Sequence, residues 1–170
     1  MSSVAQRYVR FFIMIAVSMV VMYVVMYLHT YELDHVHFSE TRLFMTLLMG
    51  ASMIVVMLLF MLGMYSNTGA NIAIIIGAGL MFCGATWLVR SQATVGDEAY
   101  MDGMIPHHSI ALLTSERADI EDLRVRELAD GIIAAQKREI AEMKWLLEDI
   151  DRNGPATTQD EMNARPVPEF

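Results

Sequence analysis

Asp97-Glu98-Ala99-Tyr100-Met101-Asp102-Gly103-Met104-Ile105-Pro106-His107-His108 is the stretch on which the reading of this chain turns. It gathers two thioethers, two imidazoles and neighbouring carboxylates into about three turns of helix. Positions three and four apart share one face of a helix. Asp97, Met101, Met104 and His108 keep that spacing and form a single line. His107 lies about 100° further around the axis, grouped with Tyr100, Met104 and Ala111. Before this stretch the sequence is hydrocarbon, and after it a second helical pattern begins.

Toward the N-terminus, residues 11–28, 43–65 and 70–89 are runs of 18, 23 and 20 residues without a charge. A bilayer core of ~30 Å needs roughly 20 helical residues, so each run can span. The first run lacks a small-x-small cleavage site and two further spans follow it, which argues against a removed signal peptide. The expectation is a membrane domain over residues 1–90 with three transmembrane helices. Arg7 and Arg10 flank the first span and favour a cytoplasmic N-terminus. Three crossings then put residues 91–170 on the outer side of a cell (inner) membrane, as a periplasmic domain.

Charge divides the chain in the same place. Of the 170 residues 55% are apolar, yet residues 91–170 hold 17 of the 20 carboxylates and only 8 of the 12 Lys and Arg. An acidic domain does not neutralise phosphates, so nucleic acid is excluded as a partner. The single cysteine, Cys83, permits no intrachain disulfide and no Cys-based zinc site.

Methionine is over-used, with 16 residues. Met45, Met49, Met53, Met57 and Met61 recur every fourth residue, with Met64 following. Four-residue steps overshoot the helical repeat by about 40° each, giving a ridge that winds around the helix and suits packing into a neighbour's groove. We read it as packing in preference to a ladder of soft ligands. Ala70, Ala73, Gly77 and Gly84 share a face of the third span and allow close helix approach. The loop after the first span carries His29, His35 and His37. It reads as a wet interfacial loop in preference to an accessory metal site.

Toward the C-terminus, a first soluble helix is expected from 97 to about 116, with Pro106 kinking it or opening a new helix. A turn at 117–119 leads to a second helix over 120–153, with Asp119 as its N-cap and a length of ~50 Å. Asn153-Gly154-Pro155 is a strong stop. The fold class is therefore all-α: three transmembrane helices, an antiparallel hairpin over 91–153, and a disordered tail over 154–170. In the hairpin Met101 falls opposite Gln136 or Glu139, and Asp97 opposite Met143. Met101, Met104, His108 and Met143 can converge, with Asp97, Gln136 and Glu139 around them. Thioether and imidazole suit Cu(I). A di-iron bundle needs Glu-x-x-His pairs, and here the residue three before His107 is Met104. Zinc is the second choice. No nucleophile with an oriented base is present, so an enzyme is not expected.

The segment Asp97…Tyr100-Met101-x-x-Met104-Ile105-Pro106-His107-His108-x-x-Ala111, with Ile132-Ile133-x-x-Gln136-x-x-Glu139-Ile140-x-x-Met143-x-x-Leu146, resembles the domain of unknown function 305 family. The resemblance covers residues 97–150. It implies a ferritin-like helical fold and copper binding or tolerance, with Met101, Met104, His107, His108 and Met143 as the functional positions. The family often carries another Met six residues after the second His, where this chain has Thr114. Ferritin-like folds use four helices and this chain supplies two, so a homodimer is expected. The functional expectation is a membrane-anchored protein that binds copper for capture, storage or tolerance. The alternative is a metal-free module whose acidic hairpin recruits a protein partner.

Overall fold

The computed structural model describes residues 3–170, and among them every regular element is helical. Six α-helices follow in order: α1 Ser3–Val25, α2 Glu40–Phe60, α3 Thr68–Ser91, α4 Asp97–Arg117, α5 Leu123–Asn153 and α6 Gln159–Ala164. Short 3-10 turns occupy Leu33–His35 and Leu62–Met64. The chain forms two compact units. One holds the residues up to Leu28 together with Glu40–Thr94; the other holds His29–Ser39 and Val95–Phe170.

In the first unit, α1, α2 and α3 are each long and apolar enough to cross a membrane. A helix satisfies its backbone hydrogen bonds internally, as an environment without water demands. α2 packs more extensively on α3 than on α1. Phe11, Ile15, Ile54, Leu58, Tyr65 and Ala78 form the buried cluster, and Met53, Met57 and Met61 pack against it. Those three residues of the methionine ridge are thus engaged in packing, while Met45 points outward. Gly50 lets α1 come close: a Cβ there would stand 2.5 Å from the Met19 sulfur. Polar clips close both ends. At one end Tyr8 Oη donates to Asn71 Oδ1 at 2.8 Å and Asn71 Nδ2 donates to the Tyr65 carbonyl. At the other, Arg42 donates to the Met26 carbonyl at 2.7 Å and lies 4.4 Å from the Tyr27 ring centre.

In the second unit, α4 and α5 form the antiparallel hairpin, with Met101, Ile105, Leu112, Ile140 and Met143 as its buried cluster. α4 starts at Gly96, and Asp97 and Glu98 in its first turn complement the helix dipole. It runs through Pro106 as one helix, so no second helix opens at the proline. α5 begins later than the sequence pattern suggests. Asp122, not Asp119, caps it, accepting the Arg124 N–H at 2.9 Å. Its C-terminal end is Gly154, at φ 75, a backbone setting that favours glycine.

Two expectations are corrected. The tail expected to be disordered forms α6, whose Thr158 and Glu161 make a reciprocal capping box. Arg165 ties it to α5 by donating to Asp149 at 2.6 Å. The loop expected to be wet is a strap on α4. His35 and Ser39 are buried in it, and Ser109 of α4 bonds the His35 ring.

Candidate functional site

α4 and α5 border an open groove of about 530 Å³. Met101, Met104 and His108 line it from α4, and Glu139, Glu142 and Met143 from α5. Asp97, Tyr100, Leu146 and Ile150 complete the wall. The i, i+3, i+4 line on α4 and its counterpart on α5 thus meet at one surface. Met101 and Met143 are buried in the hairpin core, and Met104 is half-buried.

His108 is held from both sides. Its Nδ1 lies 2.8 Å from the carbonyl oxygen of Met104, one helical turn back. A carbonyl only accepts, so Nδ1 carries the hydrogen and Nε2 is the nitrogen turned toward α5. Nε2 lies 3.0 Å from Oε2 of Glu139, and the His108 side chain is 12% exposed. Gln136 Nε2 donates to the same Glu139 oxygen at 3.2 Å. Nε2 and the Glu139 carboxylate thus face one another between α4 and α5. Anchoring one ring nitrogen on a carbonyl while presenting the other is the way proteins orient a metal-binding histidine.

His107 does not line this groove. It is exposed on the neighbouring face, its ring centre 6.0 Å from that of His108 and its plane at 88°. Gln136 stands behind Glu139 and also lines a second shallow groove with Leu128, Gly131 and Ile132. Thr114 Oγ1 bonds back to the Ile110 and Ala111 carbonyls of its own helix. Among the described residues no three His, Cys, Asp or Glu side chains converge as a metal site. The donors that line the groove are the thioethers of Met101, Met104 and Met143, the His108 imidazole and the Asp97, Glu139 and Glu142 carboxylates.

The strap grips the side of α4 away from the groove. Ser109, fully buried, accepts the Tyr31 N–H at 2.7 Å and bonds His35 Nδ1 at 2.9 Å. His37 Nδ1 meets Asp102 Oδ1 at 2.8 Å. The bare Cα of Gly103 lets Ser39 sit close, its Oγ 3.3 Å from where a Cβ would be. Tyr31 Oη donates to Glu116 at 2.5 Å, and Lys137 pairs with the other oxygen of Glu116 at 2.9 Å. The Tyr31 hydrogen bond and then Lys137 hold the Glu116 carboxyl below its usual range. The Lys144 ammonium on Asp34 does the same to Asp34. Burial, and then Lys144, push the His35 imidazole below its ordinary value. Sequence reasoning missed Ser109, Tyr31 and Glu142. The signal for the strap was the strict alternation from His35 to Ser39, apolar at every second position.

Residues 97–168 match the family model described as domain of unknown function (DUF305). The chain is also 32% identical over 143 residues to uncharacterized protein L153 of Acanthamoeba polyphaga mimivirus, covering 80% of this chain and 92% of that protein. That alignment is longer than the C-terminal domain, so the likeness extends into the apolar N-terminal segment. No solved structure matches the chain. The groove and the helical hairpin lie within the residues that match the family model, and through this C-terminal domain the chain belongs to the DUF305 family.

Proposed function

We propose that this is a membrane-anchored copper-binding protein that takes Cu(I) at the α4–α5 groove. The observation that carries the reading is the lining of one groove by Met101, Met104, Met143 and a His108 whose Nδ1 is fixed on a carbonyl. Three thioethers are soft donors that favour Cu(I) over hard divalent ions, and an imidazole is compatible with copper in either oxidation state. Glu139 and Asp97 supply negative charge at the rim, and Gln136 orients Glu139. Exposed His107 is placed to meet an incoming ion before it reaches the groove. Zinc is the weaker choice, since thioethers are poor zinc ligands.

The function is capture, storage or tolerance at the outer face, with the hairpin in the periplasm and α1–α3 as its anchor in the cell membrane. Two helices with an open side support a ferritin-like pairing of two copies into a four-helix bundle. The test is competitive Cu(I) titration of the full chain in detergent. Tight binding that is lost when Met104 and His108 are both replaced by Ala supports the site; unchanged affinity overturns it.

A second reading has its own observation. The His108–Glu139 contact closes across the groove by itself, as a metal-free hairpin would need. In that reading the acidic hairpin recruits a protein partner, copper affinity is negligible, and the partner co-purifies.

A further inference from the structure

The strap over His29–Ser39 has its polarity reversed. From His35 to Ser39 the backbone runs so that alternate side chains point opposite ways. His35 and Ser39 are buried and His37 is bonded to Asp102, all three toward α4. Val36 is 47% exposed and Phe38 61%, and Leu33 in the preceding turn is 91% exposed. A strap lying in water would place these residues the other way round, since apolar side chains gain by leaving water. Its covalent setting explains the pattern. The segment joins the end of α1 to the start of α2, two helices that can each cross a membrane. Both of its ends are therefore tethered at the level where hydrocarbon meets headgroups, and apolar and aromatic side chains settle there.

We propose that Leu33, Val36 and Phe38 form a lipid-contact edge that rests in the headgroup region of a bilayer. The strap then has two working sides: one takes lipid and the other holds α4 through Ser109 and Asp102. Asp34 is paired with Lys144, and Glu32 lies 3.8 Å from His35 and within electrostatic reach of Lys137. This inference rests on α1–α3 spanning a bilayer and is independent of copper.

The experiment is site-directed spin labelling of the full chain in phosphatidylcholine nanodiscs, in a Cys83→Ser background. Labels go at Leu33→Cys, Val36→Cys and Phe38→Cys, with Ile13→Cys as the acyl-chain reference and Glu148→Cys as the water reference. All five positions are exposed, so the labels are accessible to both reagents. Collision with oxygen, relative to a nickel chelate, is expected to shift at Val36 and Phe38 from the Glu148 value toward the Ile13 value. Water-like values at the strap with a lipid-like Ile13 overturn the proposal and leave the spans standing. Low access to both reagents there marks a protein surface as the occupant and also overturns it. A water-like Ile13 overturns the membrane reading, and the lipid edge with it.

Discussion

His108 and Glu139 face each other across the hairpin, Nε2 3.0 Å from Oε2. The other ring nitrogen is fixed on the Met104 carbonyl, so on the copper proposal Nε2 is the nitrogen open to a metal ion. On that proposal Glu139 would stand beside the bound cation. Glu139→Gln keeps the shape and removes the charge. Copper affinity is expected to fall roughly 10–100-fold, as for other residues that support a metal-binding histidine. Competition with a chromophoric Cu(I) chelator reads this, and an unchanged constant would remove Glu139 from the site.

Ser109 is the strap's anchor on α4. Ser109→Ala leaves the half-buried Tyr31 N–H without its acceptor, at a cost of about 1 kcal/mol. The loss is local. Amide exchange of residues 31–39 should accelerate while that of the α5 core stays slow. Uniform protection in the variant would show that the strap is held by something else.

Acid should loosen the same strap. Burial holds the His35 imidazole below its ordinary value, so the folded protein favours the neutral ring. The unfolded chain takes up the proton first, near pH 6.5. Stability from this group is therefore complete above that pH and declines as pH falls toward the folded value. Asp34, held low by Lys144, contributes in a separate window that opens only toward the ordinary carboxylate range. Exchange of residues 31–39 followed from pH 7.5 to 5 should show the first loss. His35→Gln should flatten it, and a slope that survives in His35→Gln would point to another group.

In the first unit, Gly50 and Met19 are in the closest approach of α1 and α2 that the glycine backbone reveals, with only 2.5 Å between the Met19 sulfur and a Cβ at position 50. Gly50→Ala should cost about 1–3 kcal/mol by overpacking, moderated because the colliding atoms are the mobile end of Met19. Met19→Ala in the same chain should recover part of it. Thermal melts in detergent measure both, and additive losses would mean that the two positions do not touch.

Much of this arrangement is legible in the sequence for local reasons. Charge-free runs mark the helices that can span, and the steps from Met101 to Met104 to His108 mark one face of α4. What escaped depends on partners distant in the chain. Nothing near Tyr31 announces that its N–H is bonded to Ser109, 78 residues on. Asp119 and Asp122 are both good caps, and only the length of the turn chooses Asp122. His107 and His108 are equal as letters. The Met104 carbonyl and Glu139 distinguish His108, and both are features of the folded hairpin. The α6 helix was hidden because a capping box of two residues stands in a segment whose composition otherwise lacks a core.

The most direct test of the central claim is the Cu(I) stoichiometry and affinity of the full chain beside Met101→Leu, Met104→Leu and Met143→Leu combined. Leucine keeps the apolar volume and removes the sulfur, so the hairpin should remain folded. The account predicts tight binding in the parent chain and a loss of at least about 10-fold in the variant, the scale of ~1.4 kcal/mol. Equal affinity in the two proteins, or no binding in either, would contradict it.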